Sequence, residues 1–414
     1  MLKFKWETEF KETEIGEIPN DWEVRKIEEI ANVSTGGTPS RKNEEYWGGD
    51  ISWVKSQEVR KYFIWETEEK ITEKGMRKSN AKRIYLPNTV LIALYGATAG
   101  EAALLKVPAT VNQAIAALEG HKTNNLFLFY LLLANKERLK DISIGSAQQN
   151  LYLKDIKNFE VALPPANDEQ SRIATVLSWF DDLIENKKRQ NEILEKVAMA
   201  IFKSWFVDFE PFKDEEFVYN EKLGKEIPKG WEVKPIGEIF DLIKGKKCAV
   251  FERPIENAVP YLLIENFKGG DISYWTTERQ PFVEELDIVL VADGESSGKI
   301  FRYQRGIIGS TLLMLRQKGK KPDLRNYVYL YLKNAEDEII EHRTGSAIPH
   351  LDKDFLKEYA LIIPISHVLQ LFHSLVEPLF QKIILNQKQI MVLRKIRDAL
   401  LPKLVFGKLR VVEI

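Results

Sequence analysis

The sequence predicts an α+β protein built twice. It has two β-rich α/β modules separated by two long helices, which pair as an antiparallel coiled coil with approximate two-fold symmetry. Three observations predict this. Two segments recur in one order at nearly one spacing, an apolar 3.5-residue pattern follows each copy, and the stretches between are short apolar runs broken by glycine-rich turns.

The recurrence is explicit. Residues 18–30 read IPNDWEVRKIEEI and residues 227–239 read IPKGWEVKPIGEI, with eight of 13 positions identical. Residues 145–164, GSAQQNLYLKDIKNFEVALP, recur as GSAIPHLDKDFLKEYALIIP at 345–364. The second copy is nine residues shorter between the two matches. Repeated edges around a divergent middle imply a kept scaffold with changed loops.

Inside the modules, 51–56, 88–96, 287–294 and 306–316 read as strands, and 126–135 and 326–334 as short helices. After each module, steps of four and three from Ile173 to Trp205, and from Phe372 to Leu404, land on apolar residues eight times in ten. That is the period of a helix–helix seam. Lys187, Asn191 and Asn386 are polar seam positions, of the kind that cost stability and fix register. Pro378 is expected to bend the second helix, and Pro402 to bend or end it. The predicted divisions are 1–165 (first module), 166–208 (first helix), 209–365 (second module) and 366–414 (second helix and tail).

Composition bounds the function. Apolar residues are 44% and charged residues 29% of 414, so each half can bury a core. Lys+Arg at 60 against Asp+Glu at 61 gives no net attraction for a polyanion, although a local basic face would suffice to bind one. The single cysteine, Cys248, excludes a disulfide framework and a cysteine zinc site, and a reducing, cytoplasmic setting is expected. The N-terminal stretch lacks the apolar core of a signal peptide, and no run of 18 apolar residues calls for a membrane.

Catalytic motifs fail on inspection. The run Gly294-Glu295-Ser296-Ser297-Gly298-Lys299 is one residue short of a P-loop and continues with Ile300. The five histidines have no metal-ligand spacing. Pro164-Pro165 is followed by Ala166, so the motif of an amino-methyltransferase is absent.

The candidate ligand-facing residues lie in glycine-, serine- and threonine-rich loops. In the first module they are Thr35, Gly36, Gly37, Thr38, Ser40, Arg41, Tyr95, Thr98, Ser146, Gln148, Gln149 and Asn150. In the second they are Lys244, Lys246, Lys247, Ser296, Ser297, Lys299, Ser346 and His350. Hydroxyls, amides and cations in such loops suit phosphate contacts, and Asn or Gln can pair with adenine edges. Ordinary surface turns are the plainer account of any one loop taken alone.

The ordered set Ile18-Pro19…Trp22, Thr35-Gly36-Gly37-Thr38-Pro39-Ser40, Tyr95-Gly96-Ala97-Thr98 and Gly145-Ser146-Ala147 resembles the specificity subunit of type I restriction–modification enzymes. So do Leu163-Pro164-Pro165…Glu169-Gln170…Ile173, Phe202–Phe209 and Leu400-Leu401-Pro402-Lys403-Leu404. The likeness spans essentially the whole chain. It is weaker in the second copy, where Glu169-Gln170 becomes Leu369-Gln370 and the Gly-Gly-Thr-Pro-Ser loop becomes Gly245-Lys246-Lys247.

The resemblance implies two target recognition domains, each reading half of a bipartite double-stranded DNA target, with the helices docking methylation (M) subunits. It implies restriction (R) subunits joined through the methylase complex, and no catalysis, cofactor or metal in this chain. S-adenosylmethionine, ATP and Mg are expected in the partners. The competing reading is a coiled-coil protein–protein scaffold with two adaptor modules; a self-contained methyltransferase lacks its motif.

Overall fold

The computed structural model describes residues 2–142, 150–319, 322–345 and 348–413. The chain forms two compact units. Unit 1 is 1–184 with 392–414, and unit 2 is 185–391. Each unit therefore takes a β-rich module and one half of each long helix.

In unit 1 a five-stranded sheet runs in the order Ala31–Thr35, Ile115–Gly120, Val90–Ala93, Ala102–Leu105, Phe63–Ile64. A three-stranded sheet runs Thr110–Val111, Trp47–Val54, Glu69–Ile71. Unit 2 repeats the plan with two four-stranded sheets. One is ordered Phe240–Lys244, Leu312–Gln317, Ile288–Val291, Ile300–Phe301, and the other Trp275–Thr276, Val259–Leu262, Gly306–Ile308, Phe282–Val283. The stretch 306–316, read above as one strand, is two strands in different sheets. The chain turns at Gly309, whose N–H donates to Leu262 O at 2.9 Å.

The predicted short helices are Asn125–Ala134 and Arg325–Asn334. The first is buried on all sides from Phe127 to Leu132, as its lack of polar residues requires, and Asn124 Oδ1 caps it by accepting from Leu126 N and Phe127 N.

The two repeated sequence edges are each other's strand partners. Glu23–Lys26 pairs antiparallel with Glu160–Leu163, and Glu232–Pro235 with Ala360–Ile363. Ile27 N then donates to Phe159 O, and Ile236 N to Tyr359 O, both at 3.0 Å. A change in either edge must suit the other, so both persist while the interiors diverge.

The long helices are Asn167–Phe206 and Ser366–Val405. All 20 seam positions read from the periodicity are buried or half-buried. In unit 1, Arg397 Nη1 meets Asp181 Oδ1 at 2.7 Å, and Arg172 Nε donates to Val411 O at 2.8 Å. In unit 2, Asn386 Nδ2 donates to Asn191 Oδ1 at 2.9 Å and Phe202 packs near Phe372. In unit 2 residue numbers rise along one helix as they fall along the other, from 191 with 386 to 202 with 372, so the segments there are antiparallel. Lys187 Nζ also donates to Gln389 Oε1, so the polar seam residues pair across the helices, as register-fixing residues do.

Pro402 does not end the second helix, which continues to Val405, and Phe406 N closes on Pro402 O at 3.1 Å. Pro378 is also internal. Buried neighbours on each side, Val376 and Phe380, then Leu404 and Val405, hold the helix across the missing N–H bonds. Among the described helices this one is long and apolar enough to cross a membrane by length and composition. Its Phe372, Val376, Phe380 and Ile383 lie in the core of unit 2.

Each repeated tryptophan receives a helix end. Trp231 packs on Phe206, Phe209 and Phe212 with ring centroids 5.2–5.8 Å away. Trp22 lies against Gly407, where φ is +70° and a Cβ would fall 2.4 Å from Pro19 Cγ, so only glycine fits. The tail strand Leu409–Glu413 then pairs with Leu2–Trp6.

Candidate nucleic-acid interface

In both units the same three loops meet at one end of a sheet. Strand 31–35 ends beside the start of strand 115–120, and strand 90–93 ends next to it. Strands 240–244, 312–317 and 288–291 repeat this arrangement. Leu94 N donates to Ala114 O and Leu151 N to Leu94 O, both at 2.8 Å. In unit 2, Ala292 N donates to Thr311 O at 2.7 Å and Leu351 N to Ala292 O at 2.9 Å.

One residue further on, Tyr95 bridges Asn150, and Asp293 bridges His350. Gly96 and Gly100 have positive φ, as do Gly294 and Gly298. The backbone is common and the side chains are not. At matching places unit 1 presents Thr35, Tyr95 and Asn150, and unit 2 presents Lys244, Asp293 and His350.

The unit 2 trio is a charge cluster. Lys244 Nζ is 2.9 Å from Asp293 Oδ2, and His350 Nδ1 is 2.8 Å from Asp293 Oδ1. Burial pushes the Asp293 carboxyl up, but Lys244 and His350 outweigh it, and the group sits below the ordinary aspartate range. Its folded pKa is lowered, so its stabilisation is complete above the unfolded value of about 4 and is lost as pH falls through the folded pKa. The melting-temperature gap between wild type and Asp293→Asn should therefore close in acid, as pH falls below about 4. A gap unchanged near pH 2 would contradict this.

The first loop of each unit is locked from behind. A Cβ on Gly36 would lie 1.7 Å from Val111 O, and one on Gly245 would lie 2.1 Å from Gly309 O. Trp53 Nε1 donates to Gly37 O and Tyr261 OH to Lys246 O, each at 2.9 Å. Thr35 Oγ1 donates to Ile115 O, and Thr38 Oγ1 to Gln113 Oε1. Ser40 and Arg41 are exposed.

The other candidate residues divide into buried and exposed sets. Gly36, Gly37, Thr98 and Ser297 are buried, so they shape the loops and do not line a surface. Thr98 Oγ1 turns back to Tyr95 O, and Ser297 Oγ has no partner among the described residues. Ser296 accepts from Lys268 Nζ at 3.0 Å, while Lys246, Lys247 and Lys299 are exposed. Ser146, Gln148, Gln149 and Ser346 lie outside the described residues.

Asp293 opens one of the glycine- and serine-rich loops legible in the sequence, but its two partners are not legible there, and Trp47 is missed altogether. The signal for Asp293 was its place opposite Tyr95, one residue before the matched glycine. Trp47 carried no such signal, because it reaches the Arg41 loop only through the fold. Glu169 and Gln170 are explained by their contacts. Glu169 pairs with Arg410, and Gln170 Oε1 accepts from Thr123 Oγ1 at 2.7 Å and Asn124 N at 3.2 Å. In the second copy Leu369 instead joins the apolar core and Gln370 is exposed.

One scaffold used twice, with unlike side chains at the same loop positions, defines a recognition protein with two related surfaces. The family described as "Type I restriction modification DNA specificity domain" matches residues 19–196 and again 228–395, and the chain belongs to this family of specificity subunits. It is 43% identical to the type I restriction enzyme MjaIX specificity subunit of Methanocaldococcus jannaschii, over 100% of this chain and 99% of that one. It is 34% identical to the MjaVIII specificity subunit of the same organism, over 67% of this chain and 62% of that one. A crystal structure of the type I S subunit from M. genitalium shares the fold at a TM-score of 0.56 and 22% identity, covering 93% of this chain and 96% of that one. Specificity subunits are the DNA-recognition components of these systems and are not catalytic; catalysis lies in the methylation and restriction subunits.

Proposed function

We propose that each module reads one half of an asymmetric, bipartite double-stranded DNA target, and that the long helices dock methylation subunits. The loop ends carry this reading: backbone hydrogen bonds are shared between the units, whereas Thr35, Tyr95 and Asn150 give way to Lys244, Asp293 and His350. Unlike hydrogen-bonding groups on one frame suit unlike base edges. Methylation with S-adenosylmethionine, and ATP- and Mg-dependent cleavage through restriction subunits, belong to the partners in the cytoplasm.

Mapping methylated adenines in DNA treated with the reconstituted methylase tests the proposal. An interrupted motif with two unlike halves is expected, and a continuous palindrome would sink it. Exchanging residues 227–364 for another such module should change one half only.

Docking is supported by apolar side chains left exposed on the long helices, with Trp179 and Leu183 forming an i,i+4 stripe in unit 1. Trp179 and Leu183 are each 51% exposed in unit 1, and Ile193, Leu371, Leu375 and Leu385 are exposed in unit 2. Replacing both Trp179 and Leu183 by Glu should weaken capture of methylation subunits by roughly 100-fold or more, as loss of an interface anchor does. Both side chains are exposed, so the melting temperature should hardly move. Unchanged co-purification would remove the stripe from the interface.

A further inference from the structure

Arg41 stands apart from the other loop cations because it is held in place. Its guanidinium lies over the Trp47 ring at 3.6 Å from the centroid, with Trp53 at 5.2 Å. Those rings meet edge to face at 86°, and Trp53 is buried. Nη1 is 2.7 Å from Glu69 Oε2. Burial pushes the Glu69 carboxyl up, but Arg41 and Lys55 bring it below the ordinary range. Trp47 Nε1 donates to Ser40 O at 3.3 Å, which ties the backbone before Arg41 to the same platform.

The side chain is nevertheless 54% exposed. Nη2 and Nε have no hydrogen-bond partner among the described residues. An arginine spread over solvent would lose rotamer freedom on binding, whereas this one has already lost it. The fork is planar, fixed and open along one edge, the geometry that matches two acceptors side by side.

The second unit keeps the frame and drops the device. Tyr261 takes the place of Trp53, Lys246 and Lys247 occupy the loop, and no arginine stacks there among the described residues. A structural prop needed by the fold would be expected in both copies. A side chain reading one word would be expected in one.

We propose that Arg41 is a specificity-determining residue that donates its open edge to O6 and N7 of a guanine in the half-site read by the first module. This rests on the two-half reading above. A guanine presents those two acceptors side by side in the major groove.

The test is methylation mapping with the reconstituted methylase carrying wild type, Arg41→Gln or Arg41→Lys, together with affinity measured against salt concentration. Both variants should relax one G·C position of one half-site, with discrimination there falling roughly 10- to 100-fold and the other half unchanged. Lysine keeps the charge but not the fork, so Arg41→Lys should relax the position as well.

If Arg41 contacts a phosphate instead, the motif will stay intact, Arg41→Lys will bind like wild type, and Arg41→Gln will bind more weakly to all sequences with a shallower salt dependence. That result, or an unchanged motif with unchanged affinity, would overturn the proposal. A wild-type motif lacking two separate halves would instead overturn the two-half reading. Unchanged recognition of the other half-site shows that each variant is folded despite losing the Trp47 and Glu69 contacts.

Discussion

Asp181→Ala should destabilise unit 1 by about 3–5 kcal/mol, the cost of stranding a buried charge. Asp181 sits on the first long helix and is 2% exposed at its side chain. It accepts from Tyr130 Oη at 2.6 Å and meets Arg397 of the second helix at 2.7 Å; the Arg397 side chain is 14% exposed. One carboxylate therefore ties the module to both helices. Without it, Arg397 keeps only Asp398 among its ion partners and Tyr130 loses its acceptor.

Burial pushes the Asp181 carboxyl above the ordinary aspartate range, and Arg397, Tyr130 and Tyr62 oppose this without reversing it. A raised carboxyl contributes fully below its unfolded pKa and loses its contribution as pH rises through the folded value. Relative to Asp181→Asn, wild type should therefore lose stability as pH rises from about 4, the reverse of Asp293. Urea unfolding of the variants reads both effects. A loss for Asp181→Ala below about 1 kcal/mol would show that the site is hydrated. Replacing Asp181 and Arg397 together by leucine should recover much of the loss.

Arg410→Ala should release the tail, at about 2–5 kcal/mol. Arg410 forks onto Glu169, with Nη2 at 2.8 Å from Oε2, and onto Asp21 at 2.9–3.0 Å, and its Nη1 reaches Glu7 at 2.7 Å. The hydrogen bond from Arg410 is the largest influence holding the Asp21 carboxyl below its ordinary range. Glu169 is 5% exposed, so its carboxyl would be left buried without the guanidinium. Amide exchange across the 2–6/409–413 ribbon should speed up by roughly 30-fold or more, and Arg410→Lys should restore little because a point charge cannot serve two forks. Exchange at the wild-type rate would show that the backbone ladder alone holds the ribbon.

The sequence alone determined the duplication, the two helices, their seam and the family. These are periodic or repeated signals, and each is complete within a short stretch of chain. Ile173, Leu177 and Ile184 declare a buried face by spacing, and Gly36 and Gly245 mark loops by residue type.

Other features depended on side chains far apart in sequence and were decided by the tertiary structure. It paired the repeated edges with each other, carried the second helix through Pro402, and split 306–316 between two sheets. It also turned Thr98 and Ser297 inward and brought Asp293 between Lys244 and His350. Arg41 was legible as a loop cation, but its fixed orientation was not, because Trp47 and Glu69 reach it only when strands 47–54 and 69–71 pair. Local pattern specifies what an element is, and partners distant in sequence specify which of its side chains are held, hidden or left open.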